Sequence, residues 1–233
     1  MDEHWQMKWL LIFLALAGPV QAECVVLLHG LARGTGSMDR LARVLRAEGY
    51  AVVNQGYPSR HATVEALAAE AIPAAVKACP VPGKRHFVTH SMGGILVRAY
   101  FRDAQPDWLG RVVMLAPPNQ GSEIVDGLGG LAPFGWINGP AGRQLATDGL
   151  PGRLGPARFE VGVIAGTRSI SPIYSAMIEG RDDGKVSIAS TRLEGMADHV
   201  MVPATHTFIA SHRGAMQQVV AFLKAGRFLR DGQ

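Results

Sequence analysis

Within the 233 residues, the segment Thr89-His90-Ser91-Met92-Gly93-Gly94 carries the strongest chemical character. An apolar run, His86-Phe87-Val88-Thr89, leads into it, and a helical pattern from Gly93 to Asp103 leads out. A serine at such a strand–helix junction can sit on a sharp turn that lifts its hydroxyl clear of a sheet. Small residues after it let the helix come close, and the helix N-terminus adds positive potential. The usual form of this turn has Gly two residues before the serine, where this chain has Thr89. A serine that only caps the helix is the simpler alternative. His29-Gly30-Leu31 directly follows the first apolar run, Val25-Val26-Leu27-Leu28. In this architecture the turn after the first strand and the residue after the nucleophile each offer a backbone N–H to an oxyanion. Those donors are assigned to Leu31 and Met92.

The elements that must position these residues alternate along the chain. Val25–Leu28, Tyr50–Val53, His86–Thr89, Arg111–Ala116, Phe159–Ala165 and His199–Val202 read as strands, mostly apolar and rich in β-branched residues. Met38–Glu48, Thr63–Lys77, Gly93–Asp103 and Arg213–Lys224 have helical spacing, with Thr63 as a capping residue. Alternation of this kind predicts an α/β fold: a mostly parallel sheet of about six strands with helices on both faces. The pattern breaks between Asn119 and Pro156, where glycines alternate with Leu128, Leu131, Phe134, Trp136 and Ile137. This long Gly-rich stretch is read as a cap over a pocket, with a disordered insertion as the alternative.

Val25 to Leu31, Tyr57-Pro58-Ser59, Val88 to Gly94 and Leu115-Ala116-Pro117-Pro118-Asn119-Gln120-Gly121-Ser122 together resemble the small bacterial esterase/lipase group of the α/β-hydrolase superfamily. The likeness covers most of residues 24–227. It implies a Ser–Asp–His triad in that chain order, no cofactor, and an ester substrate, either a small molecule or a lipid. By this resemblance Asp183, in Arg181-Asp182-Asp183-Gly184, matches the acid, with Asp182 and Asp198 as rivals. His206 fits the base, in the loop before the last helix; His199 falls within a strand, and His212 begins the helix. His29, His90, Phe134 and Trp136 are the candidate lining of the substrate pocket. An amide or thioester would suit the same triad. A non-catalytic binding protein on a hydrolase fold is the reading from another class.

Composition sets the remaining bounds. With 48% apolar and 18% charged residues, the chain is long enough for one well-buried domain, taken as residues 23–233. The net charge is +4, but the Lys and Arg residues are scattered and form no stripe, which argues against nucleic acid. The mild basicity is compatible with transient contact with an anionic membrane surface. Trp9 to Gly18 forms an apolar core followed by Val20-Gln21-Ala22, so residues 1–22 are expected to be an export signal, with Met7-Lys8 as its proper start and Glu23 as the first mature residue. The expected location is periplasmic or secreted. Glu23 before Cys24 excludes a lipoprotein signal. Cys24 and Cys79 are the only cysteines, and export makes them a candidate disulfide, with two free buried thiols as the alternative. No His, Cys, Asp and Glu grouping has metal-ligand spacing.

Overall fold

The computed structural model describes residues 23–230, so the expected export signal lies outside the described residues. Six strands form one all-parallel sheet: β1 (Cys24–Leu28), β2 (Ala51–Gln55), β3 (Arg85–His90), β4 (Leu109–Leu115), β5 (Val161–Gly166) and β6 (Asp198–Val202). Their spatial order is β2-β1-β3-β4-β5-β6. This is the α/β architecture expected from the alternation. The chain reverses direction of travel across the sheet after β2, so the C-terminal ends of β1 and β3 lie side by side.

Side chains alternate along each strand, and this splits the core into two layers. Val26, Leu28, Phe87, Val112, Met114 and Val163 face one layer. It is closed by α2 (Val64–Ala78) and α3 (Met92–Tyr100) through Leu67, Ile72, Ile95 and Leu96. Val25, Leu27, Val88, Val113, Leu115 and Ile164 face the other, closed by α1 (Asp39–Ala47) and α9 (Arg213–Ala225) through Leu41, Leu45, Val219 and Phe222. Each such Val, Leu, Ile or Phe contributes roughly 1.5–3 kcal/mol on burial. The Thr63 hydroxyl caps α2 by accepting from the Ala66 N–H at 3.3 Å.

Element bounds change in detail. The helix after Ser91 ends at Tyr100 rather than Asp103, and β5 begins at Val161, two residues beyond Phe159. Between β4 and β5 the Gly-rich stretch is not featureless. It holds α4 (Glu123–Leu128), α5 (Ala132–Arg143) and α6 (Leu150–Arg153). α5 is broken at Gly139, where φ is +65° and a Cβ would collide with the Arg60 carbonyl oxygen. Two further short helices, α7 (Pro172–Ser175) and α8 (Ile188–Thr191), flank the loop that carries Asp182 and Asp183. Among the described residues no helix is long and apolar enough to cross a membrane.

Cys24, at the start of β1, forms a disulfide with Cys79, at the end of α2, with a Cα–Cα distance of 5.9 Å. The bridge closes a loop with a sequence separation of 55 and staples α2 to the sheet. Chain entropy for a loop of this length predicts that Cys24→Ala/Cys79→Ala loses about 4 kcal/mol of stability. Urea unfolding of wild type and double variant at matched pH measures it; equal midpoints would refute the stabilising role.

Candidate active site

Ser91 stands between β3 and α3 with φ +53° and ψ −123°. This backbone region costs a non-glycine residue about 1–3 kcal/mol, so the surroundings must hold it. The Ser91 N–H donates to the Leu115 carbonyl at 2.8 Å, and the Ser91 carbonyl accepts from the Gly94 N–H at 3.0 Å. Gly93 lets α3 approach β1: a Cβ there would lie 2.7 Å from the Leu28 oxygen and 2.9 Å from that of His29. Thr89 lies in the extended part of β3, paired with Leu28 and Met114, so a β-branched residue fits without strain.

The loop after β1 is braced from beneath. The His29 ring stacks on Tyr57, with centroids 4.2 Å apart and planes 5° apart. Its Nδ1–H donates to the Gly30 carbonyl at 2.9 Å, and Nε2 accepts from the Tyr57 N–H at 3.4 Å. The Tyr57 hydroxyl donates to the His29 carbonyl. Burial holds the His29 imidazole below its ordinary pKa, which keeps this tautomer neutral. Ala32 has φ +53°, and its N–H donates to Ser59 Oγ at 3.0 Å. The amides of Leu31 and Met92 have no acceptor among the described residues.

Ser91, His206 and Asp183 form one hydrogen-bonded chain. The Ser91 hydroxyl meets His206 Nε2 at 3.0 Å, and His206 Nδ1–H donates to Asp183 Oδ2 at 2.9 Å. Asp183 is 1% exposed, and its other oxygen accepts the backbone N–H groups of Lys185 at 3.0 Å and Val186 at 2.9 Å. The Asp183 carbonyl also accepts the His206 N–H at 2.9 Å, so the two residues are tied by backbone as well. The rival residues are engaged elsewhere. Asp182 accepts from the Ser175 hydroxyl and the Gly184 N–H, shaping its own loop. Asp198 holds the Phe228 N–H and Arg230. His199 pairs with the Thr191 hydroxyl at 3.0 Å, and His212 caps α9 by accepting from the Ala215 N–H.

The four residues expected to line a pocket have unlike surroundings. His29 is enclosed beneath the β1 loop. His90 is buried, and its Nε2–H donates to the His206 carbonyl at 2.9 Å, which steadies the loop bearing that histidine. Burial, then the neighbouring His206, hold His90 well below its ordinary pKa. Phe134 is half-buried against the first core layer, whereas Trp136 is 80% exposed.

Arg98 was missed by sequence reasoning. It lies on α3, seven residues after Ser91 and 4% exposed, with no carboxylate partner among the described residues. Its Nη1 donates to the Asn119 carbonyl and its Nη2 to the carbonyls of Pro151 and Gly155, each at 2.9 Å. The Asn119 side chain passes the contact on to the Thr191 carbonyl at 2.8 Å. Both ends of the α4–α6 segment are thus pinned to α3, the helix that follows Ser91. Burial lowers Arg98 to about 10, which leaves it charged at neutral pH. A lone charge in the apolar run Ile95-Leu96-Val97-Arg98 was the available signal.

With this geometry in view, residues 25–221 match the alpha/beta hydrolase family, and the chain belongs to it. Among solved structures it is similar to the phospholipase PlaB of Legionella pneumophila, with 17% identity over 88% of this chain and a TM-score of 0.69. It spans only 60% of that phospholipase's chain. It is also similar to the mature form of a Bacillus licheniformis lipase, with 18% identity, 90% of this chain and 93% of that one covered, and a TM-score of 0.65. For a metagenomic carboxyl esterase the identity is 20%, the coverage 82% and 66%, and the TM-score 0.63. At these identities the likeness is one of fold. No curated protein sequence matches.

Replacing Arg98 by Met strands the three carbonyls it serves, each at a cost of about 1–3 kcal/mol. Arg98→Met is therefore expected to lose several kcal/mol in urea unfolding, with faster proteolytic nicking between residues 119 and 155. Arg98→Lys, which keeps the charge but not the fork, should fall between the two. Wild-type stability in the Met variant would contradict the pin.

Proposed function

We propose that this chain is a carboxylic-ester hydrolase that works through an acyl-enzyme on Ser91. The observation that carries the reading is the unbroken hydrogen-bonded chain from Ser91 through His206 to Asp183, built on a left-handed elbow. Ser91 Oγ attacks the ester carbonyl carbon while its proton passes to His206 Nε2. The new oxyanion lies against the two unengaged amides of Leu31 and Met92, donors of a kind worth about 10²–10³ each in rate. His206 then returns the proton to the leaving alcohol as the C–O bond breaks. Water attacks the acyl-Ser91 carbonyl, gives a proton to His206, and the carboxylic acid departs as Ser91 recovers its hydrogen. Asp183 holds the imidazole tautomer and stabilises its charged form, and the two amides on its far oxygen fix the orientation of the carboxylate.

Support also comes from the similar structures, a phospholipase, a lipase and a carboxyl esterase. We assign the α4–α6 segment as a cap, since it leaves Leu131, Trp136 and Ile137 exposed. We also assign the chain to the periplasm or the exterior; the disulfide supports an oxidising compartment.

Labelling with a fluorophosphonate probe tests the nucleophile: folded wild type is expected to react and Ser91→Ala to remain unlabelled. Absence of labelling in folded wild type would end the hydrolase reading and favour a binding protein. Rates on 4-nitrophenyl esters from acetate to palmitate, beside matched amide and thioester substrates, then define the bond and acyl length.

The choice of acid is tested separately. Asp183→Asn should lower kcat by about 10⁴-fold with little change in KM, because the amide favours the wrong tautomer. Asp182→Asn should change kcat less than about tenfold and act mainly on stability, costing roughly 1–3 kcal/mol. The reverse ranking would move the acid to Asp182.

A further inference from the structure

The charges beside the Ser91 centre are unevenly distributed. Arg33 follows the Leu31-Ala32 turn after β1, and Arg60 and His61 lie in the loop after β2. The two loops are joined by the bond from Ala32 to Ser59, and between them lies a cavity of about 270 Å³. Arg33, Tyr57, Ser59, Arg60 and His61 line it, and no Asp or Glu does.

Neither guanidinium is paired with a carboxylate among the described residues. Arg33 donates one hydrogen bond to Thr207 Oγ1 at 3.1 Å, and Arg60 one to the Ile137 carbonyl at 3.5 Å. Arg102, Arg111, Lys224 and Arg230 each meet an acid, and the other Arg and Lys among the described residues form no ion pair, so what sets Arg33 and Arg60 apart is that both line one cavity without an acid. Lys185, two residues beyond Asp183, adds a further cation: its ammonium is held below the ordinary value by burial and then by Arg33. Collecting unpaired positive charge beside a base that must take up a proton has an electrostatic cost. A ligand that brings negative charge offsets it.

Position agrees with this. The cavity lies beyond the carboxyl ends of β1 and β2, where open parallel sheets bind ligands, and its wall continues from Leu31 on one side and contacts the residue after His206 on the other. Its volume is just below the roughly 300–1,000 Å³ of pockets that hold a whole ligand, so it suits a headgroup. A larger cavity of about 570 Å³ opens instead at the opposite ends of the strands, where Glu23, His86, Arg111 and Glu160 pair with one another.

We propose that the Arg33–Arg60 cavity is a subsite for an anionic group, a phosphate or a carboxylate, carried by the ester that Ser91 cleaves. This rests on the hydrolase reading of Ser91 and narrows its substrate class to esters bearing a negative charge close to the scissile bond. Arg33 and Arg60 determine specificity and take no part in the bond-making steps.

Two substrate pairs test it: 4-nitrophenyl hexanoate against mono-4-nitrophenyl adipate, and dihexanoylglycerol against its phosphate. Wild type is expected to favour at least one anionic member by about tenfold in kcat/KM, mostly through KM, with the advantage shrinking as salt is added. Arg33→Gln/Arg60→Gln should abolish the advantage and keep neutral-ester rates within about twofold, since both side chains are exposed. An advantage in only one pair identifies the anion. Equal rates on neutral and anionic members in wild type, or a preference that survives the double variant, overturns the proposal. If no ester is turned over, the hydrolase reading falls and binding alone judges the subsite. Calorimetric titration of Ser91→Ala protein with glycerol phosphate and with glutarate should then show binding that Arg33→Gln/Arg60→Gln removes; no binding of either at millimolar concentration overturns the subsite.

Discussion

Where β3 turns into α3, a single residue reverses the sign of its backbone torsion, and the site is organised around that turn. Ser91 holds φ +53° because its N–H is bonded to Leu115 on the neighbouring strand and because Gly93 allows α3 to press against the carbonyls of Leu28 and His29. The same close approach brings the loop after β1 beside the first turn of α3. Two peptide N–H groups there, from Leu31 and Met92, have no acceptor among the described residues. A side chain at Gly93 would separate these elements and move both donors away from the hydroxyl. Strain, close packing and unengaged donors therefore share one cause.

Three of the buried polar groups around the elbow brace a neighbour. His29 stacks under the β1 loop, His90 holds the carbonyl of His206, and the Asp183 carbonyl holds its N–H. His206 is thus fixed by its backbone as well as by its ring. Arg98 extends this bracing to the α4–α6 segment by joining both of its ends to α3. Buried groups of this kind are costly when left unpaired and rigid when satisfied, which suits a segment that borders the site. Outside that braced shell Arg33 and Arg60, on the β1 and β2 loops, are exposed and meet no carboxylate among the described residues.

Much of the fold was legible because its signals are local. Six apolar runs alternating with amphipathic helices require a parallel sheet covered on both faces, and Val25 to Leu28 alternate between its two core layers. Element ends were less legible: α3 stops at Tyr100 although the helical pattern runs to Asp103, and β5 starts at Val161 although the apolar run begins at Phe159. The Gly-rich stretch lacked a periodic stripe, yet it holds three short helices, because Arg98 and the first core layer supply order that its own sequence does not contain.

For the site, the order Ser91, Asp183, His206 along the chain and the His29-Gly30 turn were visible without coordinates, since an elbow needs small residues at defined positions next to the serine. Which carboxylate faces the imidazole was not. Asp182 and Asp183 are adjacent and alike in sequence, and only the turn at Gly184 with the bonds to Lys185 and Val186 directs Asp183 toward His206 and Asp182 toward Ser175. The roles of Arg98, Arg33 and Arg60 likewise depend on partners distant in the chain. The sequence by itself determined the fold class, the elbow and the types of group that meet there; the tertiary structure decided which of them touch. The physical reason is range: propensity and periodicity act over a few residues, whereas a hydrogen bond between side chains depends on where two distant loops are brought together.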